Sequence, residues 1–255
     1  MTRGLRTAAL AALVLLFLGA GPALAQGPAS GLTEGGVAEE SVRLSTAVEI
    51  AILMTVLSVL PALLVTLTSF TRVVIVLSFV RRALAVQELP PNPVLIGLAL
   101  FLTSFIMAPV AEGVYEEAWQ PYRAEEIGAM EATEAAWGEM SAFLYANTRS
   151  AELELFAELA ELQPPPDGGV MDMPPARVLV PAFILSELKT AFQMGFLLFL
   201  PFLVIDMVIA SVLLSMGMFM LPPVMISTPI KILIFVLVDG WTLISRSVVE
   251  SFVLL

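Results

Sequence analysis

Residues 178–221 read VLVPAFILSELKTAFQMGFLLFLPFLVIDMVIASVLLSMGMFML, and only Glu187, Lys189 and Asp206 in that stretch are ionisable. A run this long and this apolar cannot be a soluble helix, which needs a polar face toward water. Pro201 divides it, since a proline inside a helix removes a backbone donor and clashes with the preceding turn. The stretch is therefore expected to form two helices in a hairpin, and whether it crosses a bilayer once or folds back stays open. The whole chain fits this reading: of 255 residues, 58% are hydrophobic and 14% charged, against about 25% charged in soluble domains. With no alternating strand-like runs, an all-α membrane protein is the expected fold class.

Further apolar blocks flank this one. Val48 to Val80 is interrupted only by Glu49 and Arg72. As one straight helix it would run about 50 Å, against about 30 Å of hydrocarbon. It must tilt strongly, kink at Pro61 or break near Ser69. Val94 to Val110 is at the short limit for a span, and Val224 to Val238 is a last block carrying Lys231.

Charge divides the chain. Residues 112–172 hold 14 of the 23 acidic residues and, of the 12 basic ones, only Arg123 and Arg149, a net of −12; the remainder, 9 acidic against 10 basic, is +1. This acidic segment is expected to be water-exposed and helical over Ala124–Asn147 and Ser150–Leu162, with Met140, Phe143 and Leu144 on one face and Leu155, Phe156, Leu159 and Leu162 on another. Its exit is Pro164-Pro165-Pro166-Asp167-Gly168-Gly169. At the other end, Arg3 and Arg6, the apolar Ala8–Leu18 and Ala23-Leu24-Ala25 have the layout of a secretory signal peptide. The expected organisation is a signal peptide over 1–25, a linker over 26–47, hydrophobic helices over 48–110, an acidic extracytoplasmic domain over 111–177 and hydrophobic helices over 178–255. A cleaved signal puts the mature N-terminus outside. The Arg81-Arg82 loop then falls in the cytoplasm, as the positive-inside bias independently requires.

Histidine and cysteine are absent from the sequence, which removes thiol and imidazole chemistry and Cys/His metal sites. No cofactor is expected, and no nucleic-acid partner. Ionisable side chains at membrane depth are functional candidates, each needing a partner: Arg72, Glu187, Lys189, Asp206, Lys231 and Asp239. Glu187 and Lys189 lie about 200° apart around a helix and cannot pair with each other. They either meet across copies in a ring or reach separate partners within the subunit. Asp206 and Asp239 raise two weaker readings, an intramembrane aspartyl protease and a proton-coupled transporter; the expected motif context for the first and the repeated halves of the second are missing. Met216, Met218 and Met220 stand between Ser215 and Pro222-Pro223. Flexible, polarizable methionine suits a surface that seals yet deforms, and equally suits gap-filling at a helix end.

Several long motifs carry a family resemblance: Leu60-Pro-Ala-Leu-Leu, Thr68-Ser-Phe-Thr-Arg-Val-Val-Ile-Val-Leu, Arg81-Arg82-Ala-Leu, Pro90-Pro-Asn and Gly97-Leu-Ala-Leu-Phe-Leu-Thr in the first half. Pro181-Ala-Phe, Ser186-Glu-Leu-Lys-Thr-Ala-Phe-Gln, Pro201-Phe-Leu-Val-Ile-Asp-Met-Val-Ile-Ala-Ser and Phe235-Val-Leu-Val-Asp-Gly-Trp follow in the second. Over roughly residues 48–255 the chain resembles the FliP family of flagellar biosynthetic proteins. The resemblance implies a non-enzymatic core subunit of the type III export gate in the bacterial inner membrane at the flagellar basal body. Helical hairpins would assemble as a closed homo-oligomeric ring, a pentamer, with FliQ and FliR, passing unfolded flagellar subunits outward. It implies a pore gasket at Met216, Met218 and Met220, stiffened here by Phe219. It also implies inter-subunit charge contacts at Glu187 and Lys189, and interface roles for Phe143 and Phe156, which the spacing alone reads as core. Arg82 and Pro93 depart from the commoner Asn and Gln. The injectisome counterpart is the alternative within the superfamily.

Overall fold

A computed structural model describes residues 36–86, 90–162 and 173–253. The expected signal peptide and the proline-rich exit of the acidic segment lie outside the described residues. Among the described residues the regular structure is helical: α1 (Gly36–Thr66), α2 (Phe70–Ala83), α3 (Asn92–Ile106), α4 (Ala108–Arg123), α5 (Ala129–Ala146), α6 (Ser150–Leu159), α7 (Ala176–Ser215), α8 (Pro223–Leu237) and α9 (Gly240–Glu250). α1 begins inside the segment expected to be linker. α5 begins after the expected Ala124, and α9 continues the C-terminal helical segment beyond the last apolar block, which ends at Val238.

The long apolar block of the first half breaks at Leu67–Ser69, and the helices on either side bend by 60°. Threonine makes the break tolerable in an apolar setting. The Thr68 hydroxyl donates to the Leu64 carbonyl at 2.6 Å and accepts the Phe70 N–H at 3.3 Å, while Thr71 donates to Val65 at 2.8 Å. Backbone groups freed by the break thus find side-chain partners, as lipid demands. Pro61 sits inside α1 without ending it.

α7 corrects the expected hairpin. It runs unbroken for 40 residues through both Pro181 and Pro201, and is the one described helix long and apolar enough by itself to cross a membrane. Proline deletes a single donor at each position, which a helix inside a membrane or a protein core accommodates more readily than one facing water. Three bent pairs reach spanning length together: α1 with α2, α3 with α4 (52°) and α8 with α9 (65°).

The core forms where α2 lies along the first half of α7. α2 buries Arg72, Val73, Val76, Leu77, Val80 and Ala83, one face at helical spacing. α7 answers with Leu179, Ala182, Phe183, Ser186, Ala191 and Gly195. Small residues let backbones approach where hydrophobic driving force between helices is weak. At Gly195 a Cβ would run into the Phe79 ring, so only glycine admits that aromatic side chain. α3 closes a further side with Leu95, Ala99, Thr103 and Ile106. Pro93 falls in its first turn, where a missing N–H is harmless, so this departure fits the helix start. Arg81 donates to the Asn92 side chain across the loop, and the Arg82 guanidinium sits 4.8 Å from the Phe79 ring centre.

The acidic helices are built onto this core. α5 packs on α4, which includes one π-helical turn at Tyr115–Trp119, and α6 packs on α7. Leu155 and Leu159 point outward, contrary to the expected face; α6 buries Glu152 and Leu153 instead.

Candidate functional site

The methionines occupy the connection between α7 and α8. α7 ends with Met216 as its C-cap, Gly217 at φ 74, and two bonds that close the turn: Gly217 N–H to Leu214 O and Met218 N–H to Leu213 O, at 3.1 and 3.0 Å. This Schellman closure needs a left-handed residue, and Gly217 supplies it without strain. Pro222 then precedes α8. Met216, Met218 and Met220 are 67%, 38% and 97% exposed, so within the chain they fill no gap. Apolar side chains continue bare from the loop along both helices, including Val208, Val212 and Leu214 on α7 and Met225, Leu233 and Val236 on α8. The hairpin presents a large uncovered apolar surface, the kind that lipid or a protein partner covers.

The charged candidates are all placed. Glu187 bonds Arg72 of α2 through both oxygens, with Arg72 Nε to Oε2 at 2.9 Å. Lys189 turns to the opposite side of α7 and donates to Glu152 of α6 at 2.6 Å. Glu187 and Lys189 thus face opposite ways and take different partners, both in the same chain. Glu187 is sealed inside the fold with Arg72 as its partner, the arrangement expected if each charge reaches a separate partner within the subunit. Lys189 reaches a carboxylate of its own subunit, its side chain still half exposed. Glu152, buried and hydrogen-bonded by Lys189, is held below the ordinary carboxylate value of 4.5, the bond outweighing the cost of burial.

Asp206 of α7 and Lys231 of α8 join the two arms of the hairpin at 2.6 Å. Lys231 also donates to the Ala83 carbonyl at 3.2 Å, covering the C-terminal end of α2. Asp239 stands apart, exposed at the break between α8 and α9 with φ 50. Gly240 follows because a Cβ there would strike the Phe235 ring.

Phe143 is 1% exposed and packs against Phe183 and Phe252, with ring centres 6.1 and 6.2 Å apart. Within the chain Phe143 is therefore a core residue, as its spacing reads it. Phe156 is half buried against the same core. Sequence reasoning missed Asn147, whose side-chain amide bonds the backbone of Val253, and it missed Glu152. Asn147 carries no periodic signal, and Glu152 has the same sequence surroundings as the solvent-facing glutamates of its helix.

Residues 53–248 match the family model described as the FliP family. The chain belongs to the FliP family. Its relatives include proteins named "Flagellar biosynthetic protein FliP" from Bacillus subtilis (strain 168), 54% identical over 208 residues covering 82% of this chain and 93% of that one. Another is from Caulobacter vibrioides, 50% identical over 205 residues, covering 80% and 76%. The Aquifex aeolicus FliP is 44% identical over 244 residues, covering 94% and 98%. The FliP match thus takes in the α2–α7 core, the charge pairs and the methionine connection together.

Proposed function

We propose that this chain is a pore-forming core subunit of the flagellar type III protein export gate, assembled as a closed homo-oligomeric ring, a pentamer, with FliQ and FliR. The observation that carries this reading is the uncovered Met216–Leu221 connection at the tip of an apolar hairpin, in a chain of the FliP family. Copies packed around an axis would cover the bare faces of α7 and α8 and bring their methionines together around a passing unfolded flagellar subunit. Thioether chains deform at little cost, so such a constriction seals against ions without gripping one sequence. The subunit binds, seals and guides; it is non-enzymatic.

Topology supports the same reading. If each bent pair is one span, the chain crosses four times. With the Arg81-Arg82 turn cytoplasmic, the acidic helices fall on the periplasmic side of the inner membrane, the methionine connection on the cytoplasmic side, and the residues after α9 periplasmic again. The contact between Val253 and Asn147 fits that parity, because both then lie on one side.

Native mass spectrometry of the chain co-expressed with FliQ and FliR tests the assembly; a stable monomer defeats the ring. The seal is tested by changing Met216, Met218 and Met220 together to Ala, with ion leakage across the membrane expected. Unchanged conductance with normal secretion would remove the gasket role.

A further inference from the structure

The turn between α5 and α6 is gripped from two sides. On one side, Ser186 of α7 accepts the Arg149 N–H at 3.2 Å, and the Arg149 guanidinium bonds Thr190 at 2.9 Å. On the other side lies Ser251–Val253, the short segment after α9. Its binding is built from four distinct contacts. Val253 N–H donates to Asn147 Oδ1 at 2.9 Å, and Asn147 Nδ2 donates back to the Val253 carbonyl at 3.2 Å. One side-chain amide thereby satisfies both backbone groups of a single residue, in the manner of a strand neighbour. Arg72 Nη1 donates to Ser251 O and Ser251 Oγ, both at 2.9 Å. The Phe252 ring, 5% exposed, lies between the Arg72 guanidinium, 3.7 Å from its centre, and the near-parallel Phe143 ring.

We propose that Arg72, Phe143 and Asn147 form an intramolecular peptide-binding site, and that Ser251–Val253 is a strap held there which fastens the acidic helices α5 and α6 to the membrane core. Two features separate this from ordinary core packing. Recognition is mainly of backbone, through an amide and a guanidinium, with one aromatic anchor, which is how a bound extended peptide is read. The three site residues also come from elements on both sides of the joint: Arg72 from α2, Phe143 and Asn147 from α5 and its C-cap. The strap thus spans the seam between them. Glu187 takes Arg72 Nε and Nη2, leaving Nη1 for the strap.

Hydrogen exchange on the full chain in detergent tests this. Phe252→Ala removes the anchor; Val253→Pro removes the N–H donor to Asn147 while keeping the Phe252 side chain. Either change, the proline also restraining the backbone of Phe252, is expected to speed amide exchange in α5 and α6 by about tenfold or more, with α2 and the first half of α7 altered less than about twofold, the pattern of sub-global opening. Asn147→Leu combined with Val253→Pro should exchange no faster than the worse single variant. Unchanged exchange in α5 and α6, or an equal rise throughout α2 and α7, would overturn the strap. Should Phe252→Ala fail to fold, Val253→Pro decides.

Discussion

Arg72 and Glu187, 115 residues apart in sequence, meet in a doubly hydrogen-bonded pair with both side chains shut away from solvent. Removing one member strands the other. Glu187→Gln keeps the shape and leaves the Arg72 charge unbalanced, an expected loss of about 3–5 kcal/mol. Arg72→Met with Glu187→Leu should recover part of that, because it removes the stranded charge but also gives up the Arg72 contacts to Ser251 and Phe252. Chemical unfolding in detergent measures both, and a double variant no more stable than either single one contradicts the argument.

Lys231 and Asp206 should respond unequally. Lys231 is 2% exposed and serves two acceptors, whereas the Asp206 side chain is 36% exposed and takes one donor. Lys231→Ala leaves both the carboxylate and the Ala83 carbonyl without their donor, so its effect should exceed that of Asp206→Asn by about 1–3 kcal/mol. Equal thermal shifts for the two variants would show that Ala83 is satisfied some other way.

Acid should loosen α6. Because Glu152 ionises more readily folded than unfolded, its contribution is complete above about pH 4.5 and is lost as pH falls from there through the lower folded value. Exchange in α6 is expected to rise over that window. Glu152→Gln should show the faster rate at every pH and a flatter profile. A profile unchanged by that substitution would locate the acid response in another group.

Gly217→Ala isolates a backbone effect, since nothing lies within 4 Å of the added methyl. The left-handed conformation at φ 74 then sets the cost, about 1–2 kcal/mol. Thermal melting should fall accordingly. A neutral result would mean that the α7 terminus unwinds to another turn.

Elements with local causes were legible in the sequence. The break near Ser69 follows from length against bilayer thickness, and the last apolar block became α8 nearly residue for residue. Pro201 misled, because proline's penalty in water was carried into a setting where the helix has no competing solvent to turn to. Pairings of the charges were not legible. Glu187 could be shown to need a partner, but Arg72 is chosen by the α2–α7 packing, and no local pattern encodes a contact 115 residues away. The same holds for Phe143, whose burial depends on Phe252, and for Asn147. The methionine connection was legible as chemistry, and its exposure removed gap-filling from the alternatives.

α7 has the proportions of a lever. Its first half is clamped, with Gly195 seated over Phe79, while the stretch from there to Met216 is braced chiefly by α8. That free arm is about 30 Å long, so a tilt of about 4° at Gly195 would carry the tip sideways by about 2 Å. In the proposed ring, small adjustments at a tightly packed fulcrum would thus be enough to change the aperture between copies.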